Sequence, residues 1–457
     1  MAKLKNSTLF YYSLTDLPVM MSIFPVLVFI PRFYASDMGV PLAMVGTYIL
    51  IARIIDVFTD PLMGYISDHT NSRFGRRKPW VVLSVPLLMI AVYFLFMPPE
   101  EVDGSYLLLW MIVMGLGTTM AIIPYYAWGA ELTDDYNERS KVTGFRAGAG
   151  ILGMLSAQLI PAAALFFFGI GGSATVLELV GYAMLILMPI CVLGTVLMTP
   201  EPDVKSESRV SLIAGLKLMV TNGPFLRLII AFMIGQIGLN ITTPLYIFFV
   251  ADVLGAEAQS IYMLSLFYIT SLCSIAFWVW LAGKIGKHRA YFAAFALISL
   301  AHPLYLLLGE GDFWLMAPIT IITGFAAGGF SQALPNSMKA DVIDLDTLRT
   351  GENRAALYFS AWSFAQKATA SIGASIAMFG LAFLGFDAAP GATNGEDEIF
   401  GLRFLFSTFP SIFFFTGALI VWNHPITEER HAEIRAEIEA EAQARSGDLP
   451  GSTGVRT

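Results

Sequence analysis

Charged side chains are scarce in this chain: only 14% of its 457 residues are Asp, Glu, Lys or Arg, against about 25% in an ordinary soluble domain. A shortage of that size excludes a water-soluble globular protein. Basic residues are the minority sign, 27 against 35 acids, for a formal charge of −8. The chain therefore lacks the basic surplus that nucleic acid selects, and no nucleic-acid partner is expected. There are two cysteines, Cys191 and Cys273. Each sits inside an apolar run, far from the other in sequence, which fits packing and not a disulfide framework. The sequence devices of common enzymes are also missing, with no His-Glu-x-x-His, phosphate-binding loop or nucleophile elbow. Gly148-Ala-Gly-Ile-Leu-Gly153 has dinucleotide-site spacing, but it lies within an apolar helix with no strand before it. With Gly144 it makes a small-residue face suited to helix contact. Neither an enzyme nor an organic cofactor is expected.

What is abundant is apolar sequence, 56% of the chain, with a mean hydropathy of +0.67. A window of about 19 residues finds spanning-length segments at 8–34, 41–67, 79–98, 105–132, 140–169, 176–199, 224–252, 257–283, 288–308, 313–338, 355–385 and 402–423. The first run is too long for a signal-peptide core and carries Asp16 in its middle, so it is read as a spanning helix. The chain is predicted to be an all-α membrane protein with twelve transmembrane helices in two six-helix bundles, 1–199 and 224–423. A linker at 200–223 joins them, with an interfacial helix over Val210–Val220 ended by Asn222-Gly-Pro224. Residues 424–457 form a charged tail. Lys and Arg cluster in the loops after the second, fourth, eighth and tenth segments, and the positive-inside rule puts those loops and both termini in the cytoplasm, across a plasma (inner) membrane.

The two bundles echo each other. Pro124 is followed by Glu131, then by more acids and Arg139, at the end of the fourth segment; Pro335 is followed by Asp341, Asp344 and Arg354 at the end of the tenth. Repeat-built transporters place their solute between such halves, near the bilayer midplane.

Against this background the second segment is anomalous, because it holds Arg53, Asp56 and Asp60. Ionisable groups at membrane depth mark ion and substrate pathways. Asp56 and Asp60 are four residues apart, so they share one helix face, where two carboxylates can close on a small cation. The alternative is a structural ion pair between Arg53 and Asp56 at i,i+3. One arginine cannot neutralise two acids, which favours a monovalent-cation site and ion-coupled transport.

Four motifs in order now carry a resemblance: Asp56-Val-Phe-Thr-Asp60-Pro-Leu-Met-Gly, Arg73-Phe-Gly-Arg-Arg-Lys-Pro-Trp80, Ile123-Pro124 with Glu131 through Arg139, and Ala340-Asp-Val-Ile-Asp344 with Lys367. They resemble the glycoside-pentoside-hexuronide:cation symporters of the major facilitator superfamily. The resemblance implies symport of a sugar-like solute with Na+ or H+ by alternating access. It implies that Asp56 and Asp60 bind the cation with help from Thr119, and that Asp16, Arg146 and Lys367 bind the solute. Where the family pattern has a further acid before Ile-Pro of the fourth helix, this chain has Ile122. That loss makes the pocket less polar and brings in an alternative solute, an amphiphile such as a lysolipid. A membrane receptor or intramembrane enzyme is the rival from another class. Asp16 has a packing alternative as a hydrogen bonder, and Arg146 one as a snorkelling headgroup contact. Tyr126 and Trp362 are candidates for stacking on a sugar face. Asp68, Arg73, Arg77, Glu131, Arg139, Asp341, Asp344 and Arg354 sit at helix ends of both bundles, and are expected to latch them together as a gate on the basic side. A monomer within the lipid bilayer is expected.

Overall fold

The computed structural model describes residues 4–133, 136–201, 222–350, 354–389, 391–422, 425, 433 and 437. Twelve long helical segments follow one another: α1 (Asn6–Val28), α2 (Leu42–His69), α3 (Lys78–Phe96), α4 (Gly104–Glu131), α5 (Tyr136–Phe168), α6 (Ser173–Met198), α7 (Gly223–Val253), α8 (Glu257–Ile285), α9 (Lys287–Leu307), α10 (Phe313–Thr350), α11 (Ala355–Phe383) and α12 (Glu396–Trp422). Eleven are long and apolar enough to cross a bilayer. The twelfth, α11, is 29 residues long and carries Gln366 and Lys367 in its centre. No strand occurs among the described residues. Helices are the economical answer here, since lipid offers no partner for a free backbone amide or carbonyl. The interfacial helix expected at Val210–Val220 lies outside the described residues, as does the tail from Thr427 apart from Glu433 and Glu437.

Helix ends are set by local chemistry. The Asp103 side chain accepts from the Tyr106 amide at the start of α4, and the Asn222 side chain accepts from the Phe225 amide at the start of α7. These caps satisfy amides that the first helical turn leaves free. Gly286, at φ +88°, separates α8 from α9 in a conformation that only glycine adopts without strain. α1 is broken at Leu14 and Thr15, directly before Asp16. α10 runs on to Thr350, so Asp341, Asp344 and Asp346 ride on helix and not on a loop as the hydropathy window suggested. α1 leads into a wide π turn at Phe33–Asp37 and α7 ends in one at Phe249–Val253, a structural trace of the repeat.

The small-residue face of α5 is used unevenly. A Cβ at Gly153 would stand 2.0 Å from the Leu17 carbonyl oxygen, so α1 and α5 meet backbone to side-chain-free backbone at that level. Gly144 and Gly148 have nothing within 4 Å. Gly153→Val should therefore lower stability by about 1–3 kcal/mol through overpacking, while Gly148→Ala leaves the thermal transition of the purified protein in place. Equal transitions for the two variants would contradict the contact.

Candidate functional site

We use "basic end" for the side carrying the loops after α2, α4, α8 and α10, and "opposite end" for the other. Asp16, Asp56, Thr119, Arg146 and Lys367 come from α1, α2, α4, α5 and α11, each about ten residues from the basic end of its helix. At 1.5 Å per residue that is a common depth of roughly 15 Å. Five residues scattered through the sequence thus share one level of the molecule.

Two rungs join α2 to α4. Thr119 donates its hydroxyl to Asp60 Oδ1 at 2.8 Å. One turn away, Gly115 faces Asp56: a Cβ there would be 2.6 Å from Asp56 Oδ1. The i,i+4 spacing of the acids on α2 is matched by the i,i+4 spacing of Gly115 and Thr119 on α4. Sequence reasoning missed Gly115, and this matched spacing is the signal that would have found it. Arg53 Nη1 donates to Asp56 Oδ2 at 3.0 Å, so the ion pair weighed against the cation site is present alongside it. Lys367 of the second bundle donates its ammonium to Asp60 Oδ2, which makes Asp60 a carboxylate held from both bundles. Lys367 was expected to face the solute, and here it faces the acid pair. Asp56 is 7% exposed. A carboxylate that dry needs compensation, which Arg53 gives on one oxygen while the Gly115 side is left without a side chain.

A second cluster lies wholly in the first bundle. The Tyr126 hydroxyl donates to Asp16 Oδ1 at 3.3 Å, and the Arg146 guanidinium carbon sits 3.6 Å from the Tyr126 ring centroid. Gly150, one turn after Arg146, clears room for Asp16, since a Cβ there would be 2.8 Å from Oδ2. Asp16 itself is 4% exposed. Tyr12 and Tyr125 hold the α1–α4 frame by stacking at 4.6 Å and exchanging hydroxyl-to-carbonyl hydrogen bonds of 2.9 and 2.7 Å. Tyr126 therefore keeps one ring face under a cation. Trp362 stands apart from both clusters: it is 5% exposed, packs on Phe232 with centroids 4.3 Å apart, and has the Lys339 ammonium 4.8 Å from its ring. Its faces are occupied by the protein itself, which corrects the reading of Trp362 as a solute-stacking ring. The apolar filling of the α7–α11 contact accounts for this.

Among the described residues, several of the charges expected to form a gate at the basic end make ion pairs inside a bundle. Arg77 binds Glu131 at 2.7 Å and Asp68 at 2.5 Å. Lys287 binds Asp341 at 2.6 Å, and Arg354 binds Asp346 at 2.7 Å. Arg73 lies over the Phe74 ring, and Arg139 donates to the Thr133 carbonyl. Asp344 lies on α10 between Asp341 and Asp346. Glu201, which no motif picked out, accepts from the backbone amides of Arg76 and Arg77 at 2.6 and 2.5 Å. Gly75, at φ +97°, is the residue that lets it in, because a Cβ would be 2.0 Å from Glu201 Oε2.

Charged side chains also join the bundles at the opposite end. Arg32, 8% exposed, donates to Asp252 in the π turn of α7 and lies 3.6 Å from Glu257 at the start of α8. Glu257 also accepts from the Ser173 hydroxyl of α6 at 2.6 Å. Ser375 of α11 donates to the Gly46 carbonyl of α2 at 3.3 Å. Past the end of α1, the Asp37 carboxyl is pushed up to about 6, first by burial and then by the Glu257 charge, against the pull of Arg32. Arg32 belongs to none of the sequence motifs. The signal it offered was its place at the end of a spanning helix opposite acids at the corresponding end of α7. Arg32→Ala leaves Asp252 and Glu257 facing each other without a cation. In detergent, with Cys273 replaced, a cysteine placed at the buried Val28 should then react several-fold faster with an aqueous thiol reagent. An unchanged rate would mean that Arg32 does not hold this end closed.

Comparison with known proteins agrees with this architecture. The MFS/sugar transport protein family matches residues 11–428. The isoprimeverose transporter of Lactiplantibacillus pentosus is 26% identical, over 80% of this chain and 78% of its own. The sodium-dependent lysophosphatidylcholine symporter 1 of Gallus gallus is 24% identical, over 88% and 84%, and an uncharacterised symporter of Bacillus subtilis (strain 168) is 22% identical over 89% of each chain. Among solved structures, the nucleoside transporter NupG superposes with a TM-score of 0.63 at 14% identity, covering 91% of this chain and 99% of that one, a likeness of fold. A whole-chain family match, twelve helices and a charged level inside them give one conclusion: the chain belongs to the MFS/sugar transport protein family and is a membrane transporter, not an enzyme.

Proposed function

We propose that this transporter couples entry of Na+ or H+ to uptake of a sugar or glycoside-like solute by alternating access, and that Asp56, Asp60 and Thr119 hold the coupling ion. The observation that carries the proposal is the double hold on Asp60, by Thr119 from its own bundle and by Lys367 from the other. A cation arriving between Asp56 and Asp60 competes with the Lys367 ammonium for the same carboxylate. Oxygen donors on two adjacent helices suit a hard monovalent ion. Displaced from Asp60, Lys367 turns its three N–H donors to solute hydroxyls, opposite Asp16, Tyr126 and Arg146. Ion binding and solute binding are coupled in this scheme because one ammonium serves both. By the positive-inside rule the basic end is cytoplasmic, both termini included. The arrangement then corresponds to an inward-facing state, sealed by Arg32, Asp252 and Glu257 on the far side of the plasma membrane, in a monomer.

A second solute class, an amphiphile such as a lysolipid, is favoured by the lysophosphatidylcholine symport for which the Gallus gallus relative is named and by Ile122, an apolar residue where the family pattern has an acid. Competition of a lysolipid against glycosides for uptake separates the two.

Asp60→Asn should abolish ion-driven accumulation in vesicles while solute exchange persists; undiminished accumulation would refute the ion site. Lys367→Gln should tighten apparent ion binding up to about fivefold, the ~1 kcal/mol of a partly exposed ion pair, and weaken solute binding. Calorimetric titration of the ion into that variant reads the first effect, and weaker ion binding would show that Lys367 supports the site and does not compete for it.

A further inference from the structure

Between the level of Lys367 and the closed opposite end lies a cavity of about 230 Å³ inside the second bundle. Its walls come mainly from α7, α8, α9 and α10, and it reaches the bundle interface through Leu27 of α1, Met154 of α5 and Gln366 of α11. None of its lining residues is Asp, Glu, Lys or Arg, and 11 of the 24 are Ser, Thr, Asn, Gln or His. Every charged residue assigned above lies elsewhere. On the reading of the chain as a sugar symporter, we infer that this neutral cavity is a second subsite, which takes an uncharged sugar ring joined to the ring bound at Asp16 and Arg146.

The wall is organised to present amides and hydroxyls. α10 widens into a π turn at Gly328–Ala333, a distortion that recurs at functional sites. The turn is seated by glycine: a Cβ at Gly328 would be 2.2 Å from the Ser271 carbonyl of α8, and one at Gly329 would be 2.7 Å from the Trp278 ring. Ser331 and Gln332 of that turn line the cavity. Gln236 of α7 donates to the Ser331 hydroxyl at 2.7 Å, which leaves the Gln236 amide oxygen as an acceptor and the Ser331 proton as a donor. Asn240, one turn on, donates to the Gln236 carbonyl at 2.8 Å and keeps its own amide oxygen. The amides of Gln332 and Gln366 have no hydrogen-bond partner among the described residues.

Size and polarity select the occupant. Drug-sized ligands fill roughly 300–1,000 Å³, so this space suits one ring and not a whole amphiphile. An acyl chain placed here would strip water from Gln236, Asn240, Gln332 and Gln366 and return no hydrogen bond. An ionic headgroup would find no counter-charge. A pyranose or pentose ring offers hydroxyls at its rim for the amides and apolar faces for Leu239 and Phe267. Met154, which lines the cavity, lies on α5 one turn beyond Gly150, which faces Asp16, and this brings the neutral subsite toward the charged one.

The test is binding of paired probes to the purified full-length protein with Na+ or H+ present: cellobiose, xylobiose and melibiose, each against its constituent monosaccharides. At least one disaccharide should bind about tenfold more tightly than its monosaccharides, the gain of one or two hydrogen bonds. In Asn240→Leu that preference should fall to within about twofold. Gln366→Leu, on another helix, repeats the measurement if the first variant does not fold. Equal affinities of disaccharides and monosaccharides in the wild type, or a preference that survives both substitutions, would overturn the second subsite and leave sugar transport standing. Binding of lysophosphatidylcholine with no sugar bound at all would overturn the sugar reading itself, and this inference with it.

Discussion

A carboxylate held at mid-membrane depth is the constraint from which most of this architecture follows. Asp60 cannot remain charged there without partners, and the protein supplies one from each bundle, the Thr119 hydroxyl and the Lys367 ammonium. Asp56 is held by Arg53 on one oxygen, with Gly115 opening the other side. Because Lys367 sits on α11 and the acids on α2, the balance of charge at this level depends on how the bundles approach each other. Change the charge and the relative stability of the approaches changes with it. That is the physical requirement for any device in which ion occupancy biases a conformational equilibrium.

The two ends of the molecule are built on different terms. At the basic end, Arg77 with Glu131 and Lys287 with Asp341 tie neighbouring helices of the same bundle. These pairs shape each bundle. At the opposite end, Arg32 with Asp252 and Glu257, and Ser375 with Gly46, cross from bundle to bundle. Two similar sets of side chains thus do opposite jobs according to which helices they bridge.

Much of this was legible in the sequence because lipid narrows the choices. Hydropathy located all twelve helices, and the cost of burying charge made Asp16, Asp56, Asp60 and Lys367 conspicuous. What sequence could not give was the direction of each contact. Lys367 was read as a solute residue, and its contact with Asp60 was not foreseen, because helix spacing fixes a residue's face but not its neighbour. Trp362 was read as a stacking ring, yet Phe232 and Lys339 cover it. Gly115 was invisible because its role is to leave space for Asp56, and Gly150 was read only as part of a small-residue face, not as room for Asp16. The helix-end charges were recognised, but which of them bridge the bundles depends on tertiary approach, and Arg32 stood in no motif.

The near-contact of α5 with α1 at Gly153 and the Leu17 carbonyl, together with the Tyr12–Tyr125 clasp between α1 and α4, fuses three helices into one rigid piece. Asp16, Tyr126 and Arg146 all ride on it. A ligand recognised by those three groups meets the same stereochemistry whichever face of the membrane it arrives from, whereas everything contributed by α7, α10 and α11 changes distance as the bundles rock. The interior thus has one wall whose geometry is set inside a single bundle by the α1–α4–α5 contacts, and another whose distance from it is set by how the two bundles approach.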